Sequence, residues 1–232
     1  MSSSPRVFIS GASKGIGLAT AARFLQAGYA VAISASTDQS LAQAKSQYPE
    51  LHTFKADMSE KAEVQALGKW LNEEFGTLDV LVNNVGRFIP GEIHKESDQA
   101  FEDMMHTNLF SNYYLTKAVL PHMMTQKKGD VFNICSTASI MAYPNGGSYC
   151  ISKFALLGFS KVLREEMKNY NIRVVSVLPG ATLTASWDGV DLPEERFMPP
   201  EDIATAIWET HQLSRRTVVE EILLRPMQGD LD

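Results

Sequence analysis

Short apolar runs alternate along the chain with longer stretches in which apolar residues return at helical spacing, and that alternation predicts strands and helices in turn. Arg6 to Ser10 is a short β-rich run that stops at the glycine cluster Gly11-Ala12-Ser13-Lys14-Gly15-Ile16-Gly17. Beyond it Ile16, Ala19, Thr20, Phe24 and Leu25 recur at helical spacing until Gly28 closes the segment. Further strands are predicted at Tyr29 to Ser34, Leu51 to Ala56, Leu78 to Val82, Asp130 to Cys135, Ile172 to Leu178 and Val218 to Leu224. Helices are expected around Leu41 to Ser46, Glu60 to Phe75, Asp98 to Met124, Tyr149 to Tyr170 and Pro200 to Gln212, with the third of these interrupted at Pro121. Strands that alternate with helices predict an α/β fold: a doubly wound parallel sheet of about seven strands with helices on both faces.

Composition changes this picture little. A chain of 232 residues with 44% hydrophobic and 21% charged residues can bury one substantial core, so residues 1–232 are expected to form a single domain. The net charge of −6, with no run of basic residues, recommends neither nucleic acid nor an anionic membrane as partner. No apolar stretch approaches the roughly 20 residues that cross a bilayer, and the start has no apolar signal core, so a cytosolic protein is expected. The two cysteines, Cys135 and Cys150, suit a reducing compartment and give no metal-ligand spacing.

The first candidate chemistry is the glycine cluster between the first strand and the first helix. Glycines let the backbone approach a ligand without interference from Cβ, and a helix start offers unpaired N–H groups and a positive dipole end to a pyrophosphate. A dinucleotide is the expected ligand, although the spacing Gly-x-x-x-Gly-x-Gly departs from the commoner Gly-x-Gly-x-x-Gly. The end of the second strand bears on which dinucleotide. NAD sites commonly place an acid about 20 residues past the glycines; here the strand ends in Ala35-Ser36-Thr37, whose hydroxyls can bond a 2′-phosphate, and Lys14 adds charge. NADP(H) is therefore favoured. Asp38 is the rival acid, read as the cap of the following helix.

The second is Tyr149-Cys150-Ile151-Ser152-Lys153. Positions four apart share a helix face, so the Tyr149 phenol and the Lys153 ammonium project together. A nearby cation favours the phenolate, and the pair can act as an acid. Shifting a Tyr by about three units takes on the order of 4 kcal/mol, so burial and a positive nicotinamide are expected to assist Lys153.

Taken together these motifs resemble the short-chain dehydrogenase/reductase family over nearly the whole chain. The resemblance is carried by SGASKGIG at 10 to 17, Asp57 after the third strand, NNVG at 83 to 86, Asn108, Ser136, YCISK at 149 to 153 and PGATLT at 179 to 184. Ser136 and Tyr149 are 13 positions apart, the family's separation. Ser10 stands where Thr is usual, and Val85 where Ala is usual. The resemblance implies a Rossmann-type sheet and gives each residue a role. Tyr149 would exchange the proton with a carbonyl oxygen, Lys153 would stabilise the tyrosinate and bond the nicotinamide ribose, Ser136 would polarise the carbonyl, and Asn108 would hold a water linking Lys153 to solvent. Gly11, Ser13, Lys14, Gly15, Ile16 and Gly17 would surround the phosphates, with Ser36 and Thr37 at the adenosine ribose. Asp57 and Met58 would meet the adenine, Asn84, Val85 and Gly86 the centre of the cofactor, and Pro179, Gly180, Thr182 and Thr184 the carboxamide.

The resulting expectation is an NADP(H)-dependent oxidoreductase acting on a small ketone or secondary alcohol. Loops beyond the strand ends would supply substrate contacts from Phe88, Met141, Tyr143 and Trp187, beside Ser136 and Tyr149. Arg87 offers an anchor for a carboxylate or phosphate, although a solvated loop arginine is the simpler reading. A 3-oxoacyl-(acyl carrier protein) reductase and a non-catalytic NADP-binding sensor are the alternatives. A sugar-nucleotide epimerase of the family's extended relatives needs a larger C-terminal region than the 48 residues after Thr184. The resemblance implies a homodimer or homotetramer, and the apolar excess between Phe101 and Met124 supports at least a homodimer; the Asp-Gly-Gly often found after the last strand in the family's tetrameric members is absent, which weakens the case for a homotetramer.

Overall fold

The computed structural model describes residues 4–185, 189 and 191–230. Its strands are β1 (Arg6–Ile9), β2 (Ala30–Ala35), β3 (His52–Lys55), β4 (Val80–Asn83), β5 (Gly129–Ile134), β6 (Ile172–Pro179) and β7 (Glu221–Leu224). They form one parallel sheet in the order β3-β2-β1-β4-β5-β6-β7. The helices are α1 (Gly15–Gln26), α2 (Asp38–Gln47), α3 (Lys61–Trp70), α4 (Asp98–Met105), α5 (Ser111–Gln126), α6 (Gly147–Met167) and α7 (Pro200–Gln212).

The two-residue period of β1 shows why helices cover both faces. Val7 and Ile9 enter a core with Phe24 of α1 and Ile203 and Ile207 of α7, while Phe8 between them enters a second core with Leu67 of α3 and Leu115 and Val119 of α5. Each such side chain removed from water contributes about 1.5–3 kcal/mol, so a one-residue slip of β1 would be opposed from both sides. After β1 the chain winds outward through β2 and β3, then returns to lay β4 on the other side of β1. That reversal opens a crevice beyond the carboxyl ends of β1 and β4, where ligands bind in sheets of this kind.

The strands and helices lie where the alternation predicts them, with three differences. Pro121 does not interrupt its helix but lies inside α5, where Lys117 and Pro121 both face solvent and water can take the carbonyl that loses its N–H partner. The break falls instead at a π turn, His106–Phe110, between α4 and α5. There Ser111 Oγ donates to Thr107 O (2.5 Å) and Asn112 Nδ2 to Asn108 O (2.7 Å), so side chains partner carbonyls of the widened turn. The expected helix to Phe75 likewise ends in a π turn, Leu71–Phe75. Finally, β7 begins at Glu221 rather than Val218, because β6 takes up the pairing only at Ser176, opposite Glu221. No helix among the described residues is long and apolar enough to cross a membrane.

Candidate active site

The loop from β1 into α1 is held open by β4. Asn84 Nδ2 donates to Ser10 O (2.9 Å) and Gly11 O (3.0 Å), while Ser10 Oγ accepts from the N–H groups of Asn84 (3.0 Å) and Val85 (3.1 Å). Ser10 thus needs only its hydroxyl to do this work. Gly11 and Gly15 have φ of +60° and +58°, where a side chain is strained, and a Cβ on Gly15 would stand 3.2 Å from Thr184 Cγ2. This contact brings the expected phosphate loop and the expected carboxamide loop together. Lys14, the N-cap of α1, lies exposed and makes no side-chain cap bond, so the first-turn N–H groups are left for an anion. Val85 packs beside Gly11 and the second core, and Ile16 against the first, with Ser13 half-buried between. A cradle that a Cβ would fill, at an uncapped helix start, fits a dinucleotide pyrophosphate.

At the tip of β2, Ser36 is exposed. Thr37, not Asp38, caps α2: its Oγ1 accepts from Ser40 N at 3.2 Å, because Thr37 is the last extended residue and Asp38 is already helical. The Asp38 carboxylate turns instead to Lys55 Nζ, 3.1 Å away on β3. Lys55 reaches it because Ala35 and Lys55 are partners in the sheet, a contact that sequence reading missed. Asp57 is exposed and binds Ser59 through N–H and hydroxyl, and the Met58 side chain is buried in the second core, so only its backbone can face an adenine.

Ser136, Tyr149, Lys153, Asn108 and Gly86 converge near the ends of β4 and β5. Ser136 caps the 3₁₀ turn Thr137–Ser139, accepting from Ala138 N at 3.1 Å, and its hydroxyl lies near the Tyr149 phenol. Lys153 is buried, its Nζ donates to Ile134 O (2.9 Å), and it lies 5.8 Å from the centre of the Tyr149 ring. A Cβ on Gly86 would be 3.2 Å from that Nζ and 3.6 Å from Asn108 Oδ1. Asn108, in the π turn, is fully buried: Oδ1 accepts from Arg87 N (2.7 Å), and Nδ2 donates to Arg87 O and Ser152 Oγ (both 2.9 Å). Both amide protons are used, so any water held by Asn108 must sit on an oxygen lone pair. Ser152 in turn donates to Tyr149 O at 2.7 Å. Its place three residues after Tyr149 on a helix was the available signal for this link.

The electrostatics correct one expectation. Burial raises the Tyr149 phenol above its ordinary value, and the neighbouring Ser136 hydroxyl only partly opposes it. Burial also pulls the Lys153 ammonium down to about 8. Burial therefore works against the charged form of both partners instead of assisting the pair. Cys135 is pushed up to about 11 and Cys150 is also raised, both by burial, which leaves two protonated thiols beside the site.

On the substrate side the Phe88 ring meets Tyr149 edge-on, 4.9 Å between centres. Tyr143 stands beside it, its phenol raised by burial and then by the neighbouring Tyr149. Met141 Sδ is 3.8 Å from both terminal nitrogens of Arg225, a residue not anticipated here. Arg87 pairs with Asp103 at 3.3 Å. Pro179 ends β6, Gly180 N bonds Leu224 O (2.8 Å), and Thr182 Oγ1 bonds Gly180 O (3.0 Å). Trp187 lies outside the described residues.

A family model described as short chain dehydrogenase matches residues 5–194. The chain belongs to that family. It is 35% identical to a sepiapterin reductase of Chlorobaculum tepidum over 239 aligned residues, which cover 97% of each protein. It is 28% identical to an NADP-dependent 3-hydroxy acid dehydrogenase of Escherichia coli, covering 95% of this chain and 94% of the relative. Among solved structures, an alcohol dehydrogenase of Thermococcus sibiricus complexed with 5-hydroxy-NADP superposes with a TM-score of 0.90 at 26% identity, covering 99% of this chain and 100% of that one. This short-chain dehydrogenase is thus an oxidoreductase by family.

Proposed function

We propose that the chain is an NADP(H)-dependent oxidoreductase of ketones or secondary alcohols in which Tyr149 exchanges the proton. The observation that carries this reading is the convergence of the Tyr149 phenol, the Ser136 hydroxyl and the buried Lys153 amine, 5.8 Å from the centre of the Tyr149 ring, near the ends of β4 and β5. When bound, the nicotinamide supplies or takes the hydride. Gly11, Ser13, Lys14, Gly15, Ile16 and Gly17 would hold its phosphates, Asn84, Val85 and Gly86 would line its centre, and Pro179, Gly180, Thr182 and Thr184 would meet the carboxamide. Ser136 and Tyr149 direct their hydroxyls at one carbonyl oxygen, which fixes its position and stabilises charge that develops on it. In reduction Tyr149 gives up its proton there; the Lys153 charge offsets the tyrosinate left behind. Asn108 steadies this arrangement through Ser152 and the Arg87 backbone.

Asp38 is engaged by Lys55, and the exposed Ser36 and Lys14 are available to a 2′-phosphate, which favours NADP(H). The relatives named for NADP support the same choice. Ser36→Asp is expected to raise the KM for NADPH at least tenfold, a penalty of about 1.4 kcal/mol, while changing that for NADH less; initial rates with each cofactor check this, and equal changes would discount the assignment.

The edge-on Phe88 and the Tyr143 ring, partly exposed while its phenol is desolvated beside Tyr149, favour a flat or conjugated carbonyl. Rates should therefore be measured with NADPH and NADH against ketones, aldehydes, diketones, sepiapterin and 3-oxoacyl thioesters. Turnover of one class with NADPH supports the reading; tight NADPH binding without any turnover would move it to a cofactor-binding sensor. Phe101, Tyr113 and Phe154, each at least 40% exposed on α4, α5 and α6, suit a homodimer face that a mass measurement in solution can check.

A further inference from the structure

The helix that carries Tyr149 and Lys153 has no cap of its own. Its N-cap is Gly146, which has no side chain to bond the first N–H groups of the helix, and the first turn contains no acid. Serine, threonine, asparagine or aspartate at such a position contributes about 1 kcal/mol, and α6 is the longest helix described, at 21 residues. The missing acceptor comes from 52 residues away. Glu96 accepts from Ser148 N through Oε1 (3.2 Å) and Oε2 (3.4 Å), and Ser148 Oγ donates a short hydrogen bond to Oε1.

The surroundings are shaped for this approach. A Cβ on Gly147 would stand 2.9 Å from Glu96 Oε2, and one on Gly91 would stand 3.0 Å from Glu96 Cβ. Gly91 N donates to Asn145 O (3.0 Å) as part of an isolated parallel bridge between Gly91 and Gly146, so the loop bearing Glu96 is also pinned to the start of α6 there. Glu96 also immediately precedes Ser97, which caps α4 through Ala100 N (3.2 Å). One carboxylate therefore joins the start of the helix that leads to Asn108 with the start of the helix that carries Tyr149. Ser148, its direct partner, is buried and is the residue before Tyr149.

We propose that Glu96 is a positioning residue for catalysis: its carboxylate fixes the first turn of α6 and so sets where the Tyr149 hydroxyl stands relative to Ser136. The role rests on the reductase reading above. Glu96 touches no reacting atom, and it acts through Ser148. Because a misplacement of the order of 1 Å can cost up to about 100-fold in rate, loss of the clamp is read in kcat more than in binding.

The test compares wild type, Glu96→Ala and Glu96→Gln on the best substrate of the carbonyl panel, well below the melting temperature, with kcat divided by the number of NADPH-binding sites found by fluorescence titration. Glu96→Ala is expected to lower this normalised kcat roughly tenfold, with KM for NADPH within about twofold. Glu96→Gln, whose amide oxygen still accepts from Ser148, is expected to recover most of the loss, and it carries the test where the alanine variant does not fold. A clamp that serves stability alone would lower the melting temperature and leave normalised kcat at the wild-type value in both variants, which would overturn the proposal. A wild type that turns over no carbonyl would overturn the reductase reading, and this role with it; normal wild-type turnover with unchanged variants overturns the role of Glu96 alone.

Discussion

Tyr149→Phe is expected to lower kcat about 1000-fold, as loss of a general acid typically costs between about 10² and 10⁴, while NADPH still binds. The variant removes one hydroxyl and keeps the ring, so the edge-on contact with Phe88 and the packing at the head of α6 persist. A thousandfold loss corresponds to about 4 kcal/mol of transition-state stabilisation, more than the roughly 1 kcal/mol net of an ordinary hydrogen bond. Retention of rate within tenfold of wild type would remove Tyr149 from the proton transfer. The pH profile supplies a second arm. In the free protein the Lys153 ammonium titrates near pH 8, so the charge that supports a tyrosinate is present below that value and lost above it. Reductive kcat/KM, which reports the free enzyme, is therefore expected to be level below about pH 8 and to fall above it. Stability moves the other way: the depressed amine holds fewer protons folded than unfolded, so folding gains as pH rises from about 8 toward the ordinary lysine range.

The architecture was legible because it is written in short-range pattern. Val7 and Ile9 against Phe8, and the glycine cluster between Ile9 and Ile16, each state locally which face is buried and where a helix must start. Tyr149 and Lys153 were legible for the same reason, being one helical turn apart. What was not legible depends on residues far apart in the chain. The π turn at His106 has Ser111 and Asn112 to take Thr107 and Asn108 carbonyls, and Asn108 is further held by Arg87 and Ser152, two separate segments. The pairing of Asp38 with Lys55 follows from the β2–β3 register, and the clamp by Glu96 from a loop that no periodicity describes. The balance at Tyr149 was misjudged for a related reason: spacing reports that a cation is near, whereas desolvation depends on everything that packs around the pair.

Asp130 follows the same rule and carries the largest expected stability effect. Read along the chain it merely opens a strand; in the fold its fully buried carboxylate gathers three side chains, two arginines and a histidine. Arg173 donates from Nε (2.7 Å) and Nη2 (2.5 Å), Arg215 from Nη1 (2.6 Å), and His211 Nδ1 lies 2.5 Å away, with Tyr29 Oη 2.7 Å from His211 Nε2. The cluster joins β5, β6 and α7, and Arg173 also donates to the His211 and Leu213 carbonyls where α7 ends. Burial alone would push the Asp130 carboxyl up, but the Arg173 and His211 hydrogen bonds and the Arg215 charge bring it down to about 2. Asp130→Asn keeps the shape and removes the charge, leaving a buried guanidinium uncompensated. Breaking one side of a buried pair costs about 3–5 kcal/mol, and in a chain of this size each kcal/mol lowers Tm by about 2–4 °C, so a fall of about 6–20 °C is expected. The depressed carboxyl also makes its contribution pH-dependent: it is present in full above the unfolded value near 4, amounts to about 2 kcal/mol, and is lost as pH falls toward 2. Thermal unfolding of wild type and Asp130→Asn between pH 7 and pH 2.5 should therefore show a gap that narrows in acid by up to about 2 kcal/mol without closing. Parallel curves, or a difference below about 1 kcal/mol at pH 7, would mean that the cluster lies too close to water for its charges to count as buried.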